Sequence, residues 1–323
     1  MNILVTGGAG FIGSNLIRLL LAERRHVEVT NLDLLTYAGT LENLSDIQAN
    51  PRYTFIRGDI CNGALVRKLM AGKEAVLHLA AESHVDRSIA DPNPFVRTNV
   101  LGTQRLLDEA RDAGVSRFLL VSTDEVYGEL PWMDPENRTP VRLRFTEASP
   151  LNPRSPYSAS KAAGDLLALS YHTTFHLDVV VVRGSNNYGP RQHPEKLIPL
   201  MATLAMEGKK LPVYGDGLNV RDWIFVEDFC RGILAALEQG CAGEIYNFGG
   251  DSERTNLQVV RGILANLGRS EELISFVPDR PGHDRRYAMD FSKARRSLGW
   301  EPSRNFEEGL AETIRWYGMK RGS

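Results

Sequence analysis

The sequence predicts an α/β fold, a doubly wound parallel sheet with a smaller α/β domain toward the C-terminal end. Two observations carry that expectation. Short β-branched runs alternate with helical patterns through the first half of the chain, as strands joined by crossover helices do. The first of these runs, Ile3–Thr6, turns through glycines directly into a helical pattern, which is how a Rossmann-like sheet opens.

The strand candidates are Ile3–Thr6, Val27–Leu32, Tyr53–Ile56, Ala75–Leu79, Phe118–Ser122 and Val179–Val182. Their largely continuous apolar character suits strands buried on both faces. Helices are expected over Ile12–Glu23, Gly63–Met70, Pro94–Ala113 and Pro156–Tyr171, the last two long and rich in Leu and Ala. After Val182 the pattern changes to loops such as Asn186-Asn187-Tyr188-Gly189-Pro190 and Tyr214-Gly215-Asp216-Gly217, interleaved with short helices. Residues 1–183 are therefore expected to form the Rossmann-like domain, with a returning strand near 245–248, and residues 184–323 the smaller one. The proline-rich stretch Glu129–Arg154 reads as an irregular surface loop or flap. Trp223 reads as core.

A chain of 323 residues accommodates about two domains. With 38 Lys+Arg against 40 Asp+Glu, the net charge of -2 leaves no basic excess for a nucleic-acid partner. Cys61, Cys230 and Cys241 are widely spaced, as reduced and mostly buried thiols would be, and they form neither a disulfide framework nor a metal site. A cytoplasmic setting is expected. The N-terminus shows no signal pattern, and no stretch approaches the ~18 apolar residues of a membrane span, so no membrane association is expected.

Gly7-Gly8-Ala9-Gly10-Phe11-Ile12-Gly13 follows the first strand and opens the first helix. Gly7, Gly10 and Gly13 keep side chains out of the way of a pyrophosphate approaching backbone N–H groups and the positive helix end. A glycine turn also serves plain tight packing, and Asp33 tips the balance. It ends the second strand, where an acid accepts hydrogen bonds from ribose hydroxyls and repels a 2′-phosphate, so NAD is favoured over NADP. Asp59 and Ile60 either flank the adenine or belong to a plain turn. Leu79, Ala80 and Ala81 close the fourth strand with small residues where the nicotinamide half would pass.

The run Ser122-Thr123-Asp124-Glu125-Val126-Tyr127-Gly128 falls at the carboxyl end of the fifth strand, where ligands bind in open α/β sheets. Tyr157 and Lys161 are four residues apart, hence stacked on one helix face, and the ammonium can favour the tyrosinate. Two adjacent carboxylates beside a phenolate base suggest a redox enzyme that also eliminates something. A packed ring with a solvated amine, and a solvent-facing acidic pair, are the plainer alternatives.

The glycine turn, Asp33, Asn99, the Ser122–Gly128 strand end and Tyr157/Lys161 occur in an order and spacing that resembles the extended short-chain dehydrogenase/reductase family over essentially the whole chain. Within it the sequence is most similar to the dTDP-glucose 4,6-dehydratases. The matching blocks are Thr123–Gly128, Ser155–Lys161, Asn186–Pro190, Pro194–Pro199 and Arg280–Tyr287. The resemblance implies a redox-neutral dehydration of a nucleotide sugar with NAD as cofactor and Asn99 among the cofactor residues. Tyr157, supported by Lys161, would take the O4 proton, with Thr123 on O4. Glu125 would remove the C5 proton and Asp124 would protonate the leaving C6 oxygen. Ser83, Asn187, Glu195, Lys196 and Leu197 would contact the substrate, Arg221 and Asn256 the pyrophosphate, and Pro212 and Tyr214 the base, while His283 and Tyr287 would close over the nucleotide. Lys196 could equally be solvated, and of Arg285 and Arg286 at most one can face the ligand. The resemblance also implies a homodimer, paired through the two long helices in a four-helix bundle. Nucleotide-sugar 4-epimerases, decarboxylases and GDP-mannose 4,6-dehydratase share the scaffold. An epimerase needs no acid for C6–O cleavage, so Asp124 favours the dehydratase. A nonenzymatic NAD-binding regulator would be expected to have lost Tyr157, Lys161 or the carboxylates.

Overall fold

The β-branched runs form the strands of a central sheet in the computed structural model, which describes residues 1–132, 142–279 and 281–321. They are β1 (Asn2–Thr6), β2 (Glu28–Asp33), β3 (Tyr53–Arg57), β4 (Ala75–His78), β5 (Arg117–Thr123) and β6 (Val179–Gly184). Between them run α1 (Phe11–Glu23), α2 (Gly63–Met70), α3 (Val85–Ala90), α4 (Asn93–Phe95), α5 (Thr103–Asp112) and α6 (Pro156–Phe175). The rest of the chain adds β7 (Asn186–Tyr188), α7 (Leu197–Met206), β8 (Leu211–Tyr214), β9 (Val220–Phe225), α8 (Val226–Gln239) and β10 (Ile245–Phe248). It ends with β11 (Glu253–Thr255), α9 (Asn256–Asn266), β12 (Ile274–Val277), α10 (Ser292–Leu298) and α11 (Phe306–Arg321). Residues 133–141 of the expected flap and Arg280 lie outside the described residues.

The central sheet has the order β10-β6-β5-β4-β1-β2-β3, and every pair in it is parallel. One face buries Leu16, Ile17 and Leu20 of α1 with Phe229 and Ile233 of α8 and Leu298 of α10. The other buries Val66 of α2, Leu106 and Leu107 of α5 and Ala168 of α6. With both faces covered, the strands are continuously apolar, as the sequence indicates. The strand order reverses between β1 and β4, so their carboxyl ends part and leave a crevice there.

The change of pattern after Val182 marks where the loops begin. The chain nevertheless returns to the central sheet through α8, β10 and α10. The remaining elements make a three-stranded sheet, β11-β9-β7, and a two-stranded one, β12-β8. Both share a core of Tyr188, Ile198, Met201, Trp223, Phe225, Val260 and Phe306.

Two expectations change. The single helix Pro94–Ala113 is broken in character: α4 and α5 are joined by a π-helical stretch, Val96–Gly102. There the side chain of Asn99 turns inward, accepting from Glu82 N at 2.9 Å and donating to Glu82 O at 3.0 Å and Ser160 Oγ at 2.8 Å. A wide turn of this kind accompanies side-chain insertion, and residue type alone does not announce it. The thiols are also less uniformly buried than expected, because Cys230 is buried, Cys61 is partly so and Cys241 is exposed.

Candidate active site

The crevice between the ends of β1 and β4 is built first from the glycine turn. Gly7 has φ +74, and a Cβ there would stand 2.5 Å from Ala80 N, so the turn packs directly on the backbone that follows β4. A Cβ on Gly13 would stand 2.3 Å from Gly7 O. Helix α1 begins at Gly10 with no side-chain cap and no acidic residue in its first turn. Its first amides, at Phe11, Ile12 and Gly13, therefore open into the crevice that these residues line. Asp33, at the end of β2, accepts from Ala9 N at 2.9 Å and Leu35 N at 2.8 Å. It both anchors the turn and lines the crevice.

The crevice also gathers Asp59, Ile60, Leu79, Ala80, Ala81, Ser83, Thr123, Asp124, Glu125, Tyr157, Lys161, Asn187, Glu195 and Lys196. Asp59 is engaged in its own turn, accepting from Cys61 N at 2.8 Å and from Arg97 at 2.6 Å. Asn99 is buried behind the wall. Leu197, Pro212, Tyr214, Arg221, Asn256, His283 and Tyr287 are not among the lining residues.

At the end of β5, Asp124–Tyr127 make a 3-10 turn. Thr123 Oγ1 accepts from Glu125 N at 3.3 Å and donates to Asp124 Oδ1 at 3.2 Å. The turn separates the neighbouring carboxylates: Asp124 is 2 % exposed, while Glu125 is only partly buried and opens to the crevice. Burial, and then the charges of Glu125 and Asp222, lift the Asp124 carboxyl well above the usual carboxylate range; Arg221 and the Thr123 bond only moderate this. Asp124 is therefore biased toward its protonated form.

Tyr157 and Lys161 lie one turn apart on α6, near the bottom of the crevice. Burial, and then Glu125, push the Tyr157 phenol well above its ordinary value, against a hydrogen bond with Thr123 that lowers it. The Lys161 ammonium donates to Val121 O at 2.7 Å, and burial pulls it down to about 8. The expected electrostatic support of the tyrosinate is thus outweighed, among this chain's own groups, by desolvation.

The mouth of the crevice is held by polar contacts that the sequence does not reveal, of which Arg87–Glu195 is an ion pair. Glu195 meets Arg87 at 3.2 Å, His193 at 3.5 Å and His84 at 3.8 Å. Lys196 donates to Ser83 O at 3.2 Å. Arg87 also stacks over Tyr37, 3.9 Å from the ring centroid. These contacts join the segments after β2, β4 and β7. Only the neighbouring Pro194–Pro199 block gave any hint of His193, and nothing in the sequence marked Tyr37 or Arg87.

Beyond the carboxylates, Arg221 stacks on Tyr287 at 4.5 Å and donates to Asp284 O at 2.9 Å. Both Arg221 and Tyr287 are electrostatically within reach of the Asp124–Glu125 pair. Farther out, exposed Tyr214 of β8 meets His283 edge-on at 6.2 Å. Pro212 lies on the same strand, and Asn256 opens α9, its amide donating to Asn219 O. Arg285 pairs with Asp216 at 2.7 Å and Arg286 with Glu253 at 2.8 Å. Among the described residues no cluster of His, Cys, Asp and Glu could hold a metal ion, and no helix is long and apolar enough to cross a membrane.

A family model described as GDP-mannose 4,6 dehydratase matches residues 4–313. The chain belongs to that family. Among curated family members, a dTDP-glucose 4,6-dehydratase from an Actinoplanes species is 50% identical over 326 residues, covering 99% of both chains. The crystal structure of DesIV, a dTDP-glucose 4,6-dehydratase from Streptomyces venezuelae with NAD bound, superposes with a TM-score of 0.95 at 51% identity, covering 100% of this chain and 98% of that one. A UDP-glucose 4-epimerase from Thermotoga maritima superposes with a TM-score of 0.89 at 31% identity, over 99% of this chain and 100% of the other. The same scaffold is thus found in proteins named for more than one reaction.

Proposed function

We propose that the protein is an NAD-dependent dTDP-glucose 4,6-dehydratase, a hydro-lyase converting dTDP-glucose to dTDP-4-keto-6-deoxyglucose and water. The observation that carries this reading is Asp124, a buried carboxyl biased toward protonation, beside Glu125 and near Tyr157. A 4-epimerase or decarboxylase on this scaffold has no use for an acid at the C6 oxygen. Full-length identity of about half to curated enzymes of that name supports the choice of substrate.

The crevice fits NAD. The uncapped N-terminus of α1 and the side-chain-free glycine turn suit a pyrophosphate, Asp33 suits unphosphorylated ribose, and the small residues Ala80 and Ala81 leave room for the nicotinamide half. Bound there, NAD would supply the hydride acceptor that oxidation at C4 needs and the donor that reduction at C6 needs. Tyr157, once ionised, takes the proton from O4, a state that its burial opposes and that a cationic cofactor in the crevice would favour, and Thr123 holds that oxygen. The C4 ketone acidifies the C5 proton, which Glu125 removes. Asp124 donates its proton to the C6 oxygen, which leaves as water. One hydride leaves C4 and one arrives at C6 as Glu125 returns a proton to C5, so the product is the saturated 4-keto-6-deoxy sugar and no external oxidant is consumed.

In this reading residues 184–323 supply most of the nucleotide-sugar contacts. Ser83, Asn187, Glu195, Lys196 and Leu197 surround the sugar, Arg221 and Asn256 the pyrophosphate, Pro212 and Tyr214 the base, and His283 and Tyr287 the outer face. We also assign a homodimer, formed by α6 and the helical run 93–112 of each subunit in a four-helix bundle. The support is a set of exposed apolar side chains on those helices, Val96, Leu101, Leu166 and Phe175. A cytoplasmic location agrees with three free cysteines.

The test follows the hydrogen atoms. With dTDP-glucose deuterated at C4, the label should appear at C6 of a 4-keto-6-deoxy product, and in deuterated solvent C5 should gain deuterium. Label returned to C4 would indicate epimerisation instead, and an unlabelled C6 would reject the dehydratase.

A further inference from the structure

Tyr157, Lys161 and Asp165 follow one another at four-residue spacing down one face of α6. Asp165 is fully buried, and its Oδ2 accepts from Arg183 Nε of β6 at 2.9 Å. Arg183 is itself 1 % exposed. Its Nη1 donates to the Tyr127 hydroxyl at 2.7 Å, and its guanidinium lies 4.7 Å over the Tyr127 ring. Tyr127 is the last residue of the turn that carries Asp124 and Glu125, and its hydroxyl donates onward to Asn247 Oδ1 of β10 at 2.8 Å. One buried ion pair therefore touches both pieces of the site: the helix bearing Tyr157 and Lys161, and the turn bearing the two carboxylates. Buried ion pairs are poor stabilisers, because the desolvation of both charges offsets most of their attraction. Stability alone does not account for this one.

We infer that the Asp165–Arg183 pair is a positioning unit of the active site, in which Asp165 holds the positive charge on Lys161 and Arg183, through Tyr127, holds the turn of Asp124 and Glu125. The inference rests on the reading of Tyr157 and Lys161 given above. Among the described residues, Lys161 meets Asp165 one turn along its own helix, the Val121 carbonyl on β5 and His78 on β4, with Tyr157 one turn before it on α6. His78 accepts or donates between Thr6 Oγ1 and Thr103 Oγ1 at 2.8 and 2.9 Å. Burial, and then the Lys161 charge, bring it down to about 3, so it stays neutral. At the far end Tyr157 faces Glu125, Thr123, Asp124 and Tyr37. Asp165 is thus the carboxylate that opposes the burial of the Lys161 ammonium.

The test is Asp165→Asn, which keeps volume and removes charge, with Asp165→Glu as the conservative control. In Asp165→Asn the alkaline limb of the kcat profile should move acidward by about one pH unit, and Asp165→Glu should restore it. NMR of isotope-labelled lysine, following the Lys161 Cε resonance, should show the same acidward shift without any turnover. That readout stands even if dTDP-glucose proves not to be the substrate, so a failure of the reaction assigned above is distinguishable from a failure of this inference. Should Asp165→Asn leave Arg183 stranded and unfold the chain, the double variant Asp165→Leu/Arg183→Met removes both charges and should shift Lys161 the same way. A folded variant with an unmoved Lys161 titration overturns the inference. Collapse of both variants assigns the pair to stability and overturns it as well.

Discussion

Asp33→Ala should remove an anchor from the protein as well as a contact from its cofactor. The two carboxylate oxygens of Asp33 are acceptors for Ala9 N and Leu35 N, and the residue is 8 % exposed. Alanine leaves both amides without their carboxylate acceptor. Each charge-assisted bond lost costs about 1.5–3 kcal/mol, and the burial of the carboxylate offsets part of the total, so a net loss of about 2–4 kcal/mol is expected. For a chain of 323 residues that is a fall in melting temperature of about 3–6 °C. Asp33→Asn keeps one acceptor oxygen and turns an NH2 toward the other amide, so it should fall between. The assay is thermal unfolding of cofactor-stripped protein, repeated with NAD and with NADP. Wild type should gain stability with NAD and little with NADP, whereas the alanine variant should lose most of that difference. The same experiment carries a pH signature. Burial, ahead of the two amide bonds, raises the Asp33 pKa in the folded state. The folded chain then holds the proton more tightly than the unfolded one, so this group's contribution to stability declines as pH rises from about 4 through the raised value. Asp33→Ala should lack that slope. A stripped alanine variant that melts with wild type would refute the reasoning, because the turn would then need no anchor from β2.

Tyr157→Phe should lower kcat by at least about a hundredfold while nucleotide-sugar binding, measured by calorimetry, changes little, since only the ionisable oxygen is removed. Wild-type turnover in that variant would remove Tyr157 from the role of base. The carboxylates should separate in single-turnover work: Asp124→Asn should slow loss of the C6 oxygen more than oxidation at C4, and Glu125→Gln should slow exchange of the C5 proton with deuterated solvent. Equal loss of C4 oxidation in both, with Tyr157→Phe unaffected, would show the roles to be wrongly distributed.

The parts of the molecule that were legible in the sequence are those governed by local chemistry. The β-branched runs fix the strands because both faces of this sheet are covered, and Gly7, Gly13 and Asp33 announce a strand–turn–helix in which close backbone approach leaves no room for side chains. The parts that were not legible depend on long-range pairing. Asn99 looks like any helix residue until Glu82 and Ser160 arrive from other elements to meet it, and the π-helical stretch forms there. Glu195 reads from the sequence only as a sugar contact, and only the fold brings Arg87, His84 and His193 around it. Asp222 follows Arg221 in a strand whose pattern draws attention to the guanidinium, yet Asp222 is buried, accepts from Ser252 N at 2.9 Å and adds its charge to the surroundings of Asp124.

Asp222 also bears on how two adjacent carboxylates can be acid and base at one pH. Chain neighbours share a locality, so the difference between them has to come from orientation and from what each side chain faces. The 3-10 turn supplies the orientation, directing Asp124 into the interior and leaving Glu125 open to the crevice. Burial alone already disfavours charge on Asp124, and Asp222, lifted to about 6 by its own burial, adds a further carboxylate on that side. Arg221 opposes this, but less than burial and the Glu125 and Asp222 charges raise the Asp124 carboxyl. Asp124 is therefore biased toward its protonated form, the state that the acid role proposed above requires, while Glu125 is only partly buried. The division of labour proposed for the two residues would then follow from an asymmetry in burial that one turn of backbone creates.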